Sequence, residues 1–237
     1  MKLLLTANGI KNPELEQAFL ELTGHRSGLK VAYIRTAGDP IEWIPETEGS
    51  KKYIAKLIPE KKEKDAEWLN SYKEKWEAKG YRVIIADLKE DPAELKKKLE
   101  SVAVIDVTGG DVDWLLDWAK IAKLDTYLKD LLDKGVVYVG SSAGCGLPTP
   151  DIGLTWWEPE KWAGTDHIGF GIVDFVIVPH QKESDGEKTA ENLIERKKYM
   201  QSVTDFPWKV YLLQDGQAIK VDGDKVEHIG QGVKKYI

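Results

Sequence analysis

One pentapeptide has the residue types and spacing of a hydrolytic centre: Gly140-Ser141-Ser142-Ala143-Gly144, a G-x-S-x-G sequence centred on Ser142. Small residues on both sides let a strand turn sharply into a helix and lift one hydroxyl clear of the sheet. The backbone N–H groups that follow, at the N-terminus of the coming helix, point to the same space and can hold a developing oxyanion. A serine nucleophile also needs a base within hydrogen-bond reach and a group that orients the base. The chain has four histidines. His25 falls in a polar connection between a helix and a strand, and His167 in a glycine-rich loop. His180 follows a β-rich run and a proline, and His228 ends the last strand-like segment. His180 is favoured over His228, because its run ends at the edge of the sheet where ligands bind.

The elements that must position these groups follow from the hydrophobic pattern. Val136–Val139 is apolar and mostly β-branched, the signature of a short buried strand running into the Ser142 turn. Further strands are expected at 3–6, 29–34, 81–88, 102–107 and 173–178. Between them lie helical stretches: one opened by Asn12-Pro13, one by Asp91-Pro92, then 112–119 and 124–134. A long charged stretch from about 46 to 79 reads as a helix interrupted at Pro59, with Tyr53, Ile54, Leu57, Trp68, Tyr72 and Trp76 on its apolar stripe. This β-α-β-α rhythm predicts an α/β fold, three layers deep, with a doubly wound and mostly parallel sheet. After a helix at 187–203, the segments 209–213, 217–221 and 225–229 read as short strands joined by Asp215-Gly216 and Asp222-Gly223 turns, forming C-terminal hairpins. No repeat or linker divides residues 1–237, so a single domain is expected.

Composition narrows the function classes. The chain has 237 residues and a formal net charge of −6, which gives no footprint for nucleic acid. Cys145 is the only cysteine, so no internal disulfide forms, and its place inside the helix after the turn suits burial rather than catalysis. The apolar run at the N-terminus is too short for a signal peptide or a membrane span, so a cytoplasmic location is the default expectation. No cluster with metal-ligand spacing is visible, and neither metal nor cofactor is expected. The stretch Trp156-Trp157-Glu158-Pro159-Glu160-Lys161-Trp162 is expected over the site, where its tryptophans either wall an apolar substrate pocket or make a homodimer contact.

Three blocks in order resemble one family: Val107-Thr108-Gly109-Gly110-Asp111, then Tyr138–Gly144, then Val178-Pro179-His180. They look like the corresponding segments of peptidase E (dipeptidase E, aspartyl dipeptidase), serine peptidases of a class I glutamine-amidotransferase-like fold. The resemblance implies Ser142 as nucleophile, His180 as general base and acid, and backbone N–H donors of Gly110 and Ala143 as the oxyanion hole. Counting back from His180 by the family's spacing, it implies Glu158 as the third member, with Asp151 and Asp166 as rivals. Two departures bear on substrate. The family's Asn after Gly-Gly is Asp111 here, a carboxylate that opposes an oxyanion unless paired, protonated or turned away, or that holds a substrate's α-amino group. The arginine that reads an Asp side chain in the aspartyl dipeptidases is matched by Ala190, with Lys188 and Arg196 in other registers. The expected activity is hydrolysis of short peptides through an acyl-enzyme, without strict Asp-X specificity. The alternatives are an esterase or another amidase on the same turn, or a non-catalytic ligand-binding relative.

Overall fold

The computed structural model describes residues 1–48, 53–58, 62–155, 167–183 and 188–237, with the backbone alone at 62–66, 68 and 69. Five parallel strands form its centre: β1 (Lys2–Thr6), β2 (Lys30–Ile34), β5 (Arg82–Ala86), β6 (Val104–Val107) and β7 (Val137–Ser141). Antiparallel β10 (Ala218–Asp222) and β11 (Lys225–Ile229) extend one edge, giving a seven-stranded sheet in the order β11-β10-β1-β7-β6-β2-β5. The strand that carries the Ser142 turn therefore sits centrally, between β1 and β6. Its five residues are all buried, as expected of a parallel strand covered on both faces.

Helices cover both faces. On one side α1 (Pro13–Leu22) and α2 (Lys62–Ala78) pack Leu15, Phe19 and Trp76 against Leu4, Val104 and Val139. On the other, α3 (Pro92–Glu100), α4 (Val112–Ile121) and α5 (Leu128–Asp133) bring Leu95, Leu115 and Leu128 onto Leu5, Ile105 and Tyr138. Alternate residues of each strand thus feed opposite cores. The helix starts match their sequence signals. Asn12 accepts from Leu15 N ahead of Pro13, and Asp91 accepts from Ala93 N and Glu94 N ahead of Pro92.

Three expectations are corrected. The stretch from 46 to 79 is not one helix. Within it and just before it run β3 (Ile41–Pro45) and β4 (Tyr53–Leu57), an antiparallel pair, and only α2 is helical; Pro59 lies outside the described residues. Aromatic and β-branched residues at 43, 44, 53 and 54 favour the paired strand over the helix stripe they also fit. Second, β8 (Phe175–Pro179) does not join the central sheet. It pairs in parallel with β9 (Lys209–Leu213), which pairs antiparallel with β12 (Lys235–Tyr236) in a separate three-stranded sheet. Third, β9 and β10 do not form a hairpin. The chain leaves the small sheet at Leu213 and enters the large one at Ala218, and Asp215-Gly216 is the crossing. The helix expected at 187–203 is α7 (Ala190–Val203), which packs Leu193 and Met200 onto the small sheet's Val176, Val178 and Val210.

Candidate active site

Ser142 stands between β7 and α6 (Ala143–Gly146) with φ 51° and ψ −112°. A serine in that region carries backbone strain of order 1–3 kcal/mol and persists only where the surroundings hold it. They do. Ser142 N donates to Thr6 O at 3.0 Å, and Cys145 N donates to Ser142 O at 3.0 Å. Gly144 passes so close to β6 that a Cβ there would lie 2.2 Å from Val107 O. The motif's second glycine is therefore dictated by contact between helix and neighbouring strand, not by a turn.

His180 lies just beyond the end of β8, also with a positive φ of 62°. Its Nε2 is 2.9 Å from Ser142 Oγ. Its Nδ1 is 2.6 Å from Asp215 Oδ1. With Nδ1 protonated and donating to Asp215, Nε2 presents its lone pair to the serine hydroxyl, the tautomer a general base requires. The crossing that carries Asp215 is pinned on two sides. Gly216 N donates to Asn8 Oδ1 at 3.0 Å, and Asn12 Nδ2 donates to Gly216 O at 2.8 Å. Gln181 N donates to Leu213 O at 2.8 Å, tying the residue after His180 to the end of β9. His180 and Asp215 thus follow neighbouring strands of the small sheet, and the Oγ–Nε2 contact joins them to the end of β7 in the large one.

The carboxylate at His180 Nδ1 among the described residues is that of Asp215, which was not among the acids singled out from the sequence. Glu158, Trp157 and Asp166 lie outside the described residues. Asp151 does not approach His180. Its Oδ2 is 2.9 Å from His167 Nδ1, and its Oδ1 accepts from Gly153 N at 2.6 Å. Asp215 escaped the sequence reading because Asp-Gly after a short strand is also a common turn. A usable signal existed: like His180, it follows an apolar strand, so both residues sit at strand ends. His228 is not the partner of Ser142. It pairs across from Ile219 on the edge strand, its Nε2 is 3.1 Å from Gln217 Oε1, and burial lowers its pKa to about 4.

Gly110 and Ala143, the expected oxyanion donors, line one cavity of about 100 Å³ with Ser142, Cys145, Ile177 and Lys188. Neither backbone N–H is taken by an acceptor among the described residues. Gly110 has φ +144°, and a Cβ there would meet Ala37 O at 1.9 Å, so only glycine allows this approach. Asp111 N donates to that same Ala37 O at 2.8 Å and fixes the loop. The Asp111 carboxylate is paired. Its Oδ1 accepts from Asp113 N at 3.1 Å and Trp114 N at 2.8 Å, capping α4, and its Oδ2 accepts from Trp43 Nε1 at 2.7 Å. The helix N-terminus compensates its charge.

Two other groups line the cavity. Lys188 is 7% exposed, and its Nζ donates to Pro179 O at 3.1 Å. Cys145 is fully buried, and burial pushes its thiol up to about 12, which suits packing rather than nucleophilic attack. Among the described residues no group of three or more metal-ligating side chains occurs, and no helix is long and apolar enough to cross a membrane.

The sequence profile of Peptidase family S51 matches residues 3–229. The chain is similar to two uncharacterized peptidases of Listeria. Lmo0363 of Listeria monocytogenes is 26% identical over 142 residues, covering 58% of this chain and 65% of that one. Lin0382 of Listeria innocua is 24% identical over 198 residues, covering 82% and 83%. Among solved structures, a candidate peptidase E protein from Listeria monocytogenes EGD-e superposes with a TM-score of 0.67 at 21% identity, covering 98% of this chain and 99% of that one. A peptidase from an acI-B1 actinobacterium superposes with a TM-score of 0.65 at 17% identity, covering 100% and 93%. Both share the fold.

Proposed function

Since the chain belongs to peptidase family S51, we propose that it is a serine peptidase in which Ser142, His180 and Asp215 form the catalytic relay and short peptides are the substrates. The observation that carries this reading is the unbroken series of contacts from Ser142 Oγ to His180 Nε2 at 2.9 Å and from His180 Nδ1 to Asp215 Oδ1 at 2.6 Å. It stands beside an open pair of N–H groups at Gly110 and Ala143.

In the reaction, His180 Nε2 takes the Oγ proton as Ser142 attacks the amide carbonyl carbon. The oxyanion that forms accepts from Gly110 N and Ala143 N. As the tetrahedral intermediate collapses, the C–N bond breaks and the imidazolium returns its proton to the leaving amine. Water then attacks the acyl-enzyme with His180 again as base, releasing the acid and restoring Ser142. Each oxyanion donor in such sites is worth roughly 3–4 kcal/mol of transition-state stabilisation.

Labelling with a fluorophosphonate probe tests the core of the reading. The folded protein is expected to be labelled on Ser142 at neutral pH. Ser142→Ala and His180→Ala should lose labelling, and His228→Ala should keep it. An unlabelled wild-type protein, or labelling that survives His180→Ala but not His228→Ala, overturns the assignment. A panel of short peptides and simple esters then separates a peptidase from an esterase.

A further inference from the structure

A second cavity, of about 120 Å³, lies on the α1–α2 face of the large sheet. Register sets its floor. Asp106 of β6 stands beside Val139 of β7, both lining the cavity, and Tyr33 of β2 stands on the other side of Asp106. Its walls include Phe19 of α1 and Tyr72 and Trp76 of α2. At the mouth are the exposed side chains of Lys11, Lys75 and Lys79. The cavity is separate from the one around Ser142.

Asp106 is 1% exposed, and Trp76 Nε1 donates to its Oδ2 at 2.6 Å. That is the only side-chain hydrogen bond to this carboxyl among the described residues, so its other oxygen keeps its acceptor capacity. The fully buried Tyr33 hydroxyl beside it has no hydrogen-bond partner among the described residues. Buried polar groups are almost always satisfied, and leaving one unmade costs more than the bond itself returns. Burial also pushes the Asp106 carboxyl up to about 7, as befits an acid with no cation beside it. Nothing in the relay uses these groups.

We propose that this cavity is a binding site for small monocyclic phenols, with the ring among Phe19, Tyr72 and Trp76 and the hydroxyl donating to Asp106. An apolar cavity of roughly 150 Å³ holds a benzene ring, and this one, at about 120 Å³ but open at its lysine-lined mouth, takes a single ring at most. A donor is needed to use the open carboxyl oxygen, which separates a phenol from toluene. A small organic cation is disfavoured at the entrance. Three lysines stand there, and the one carboxylate among them, Glu16, is paired with Lys79 at 2.8 Å. The inference is independent of the hydrolytic reading, because binding here needs neither Ser142 nor His180.

The test is a titration of the ¹⁵N-labelled protein with phenol and with toluene, followed at the Trp76 indole N–H resonance, which is identified by its loss in Trp76→Phe. Phenol is expected to shift that resonance saturably and to bind about tenfold or more tighter than toluene, a difference of about 1.4 kcal/mol. Leu20→Trp, at a half-buried position lining the cavity, should abolish the shift. Asp106→Leu should bring phenol down to the affinity of toluene. No saturable shift, equal binding of the two compounds, or unchanged phenol affinity in Leu20→Trp each overturns the proposal. If Asp106→Leu does not fold, the solvent-facing Leu20→Trp decides.

Discussion

Exposure separates the duties of the three relay groups. The His180 and Asp215 side chains are 37% and 61% exposed, so the field of the carboxylate on the imidazole is screened by solvent and contributes little as Coulomb energy. Asp215 acts chiefly by holding the imidazole tautomer and orientation. Asp215→Asn is therefore expected to lower kcat/KM on the order of 10–100-fold, less than removal of a buried acid, with the loss mainly in kcat. Asp215→Glu should recover part of it. Steady-state kinetics on a cleaved peptide checks both, and an unchanged kcat in Asp215→Asn would remove Asp215 from the relay. At this scale the sequence was informative for groups bound to a local pattern. Ser142 is announced by its glycines and His180 by the proline and strand before it. Asp215 was not announced, because nothing local marks a carboxylate whose partner lies 35 positions away, beyond the end of the neighbouring strand β8. Loop spacing pointed to Glu158, which lies outside the described residues, and the proposed role of Asp215 rests on its contact with Nδ1.

Among the elements, α4 and its loop show how a departure in residue type is absorbed. Asp111 caps α4 through two backbone donors and holds the β3 residue Trp43 with its other oxygen. Asn is as good an N-cap as Asp, and its one carbonyl oxygen can still take the helix donors. Asp111→Asn keeps the cap but sets an amide N–H₂ against Trp43 Nε1, so it should cost about 1 kcal/mol, while Asp111→Ala, which loses cap and Trp43 bond together, should cost about 2–3 kcal/mol in urea unfolding. Similar losses in the two variants would mean that the cap is not what holds this carboxylate. Gly110→Ala is harsher. A Cβ 1.9 Å from Ala37 O displaces the loop, so fluorophosphonate labelling should fall at least tenfold or so even where the protein stays folded. Full labelling of Gly110→Ala would exclude Gly110 N from the oxyanion site. Helix starts and buried strands were legible because caps and apolar runs are local. The β3–β4 pair was not. Its residues fit a helical stripe and a strand alike, and only pairing across the hairpin decides.

For the molecule as a whole, two buried groups act on stability in opposite directions over the same pH range. Asp106 titrates at about 7 in the fold, above its ordinary 3.8. The folded state binds the extra proton between those values, so this contribution is present below about pH 4 and lost as the pH rises through 7. His228 titrates at about 4, below its ordinary 6.5. There the unfolded state binds the extra proton, so stability is present above pH 6.5 and lost as the pH falls through 4. At about 1.4 kcal/mol per pKa unit, each contribution is on the order of 3–4 kcal/mol, and together they flatten the profile. In urea unfolding between pH 4 and 7.5, Asp106→Asn should gain stability with rising pH more steeply than the parent, and His228→Gln less steeply. Parallel profiles for all three proteins would show that neither group is shifted. The parallel sheet and its two covered faces were readable from the alternation of strands and helices; the partition into two sheets was not, because an apolar strand does not state which sheet it joins. That partition has a consequence for biosynthesis. A chain emerging from the N-terminus first presents Ser142 many residues before His180, and His180 before Asp215 and the strand that anchors it. A half-made chain therefore carries Ser142 without His180, and the contacts that run from Ser142 to Asp215 close only after the crossing between the sheets has been synthesised and seated.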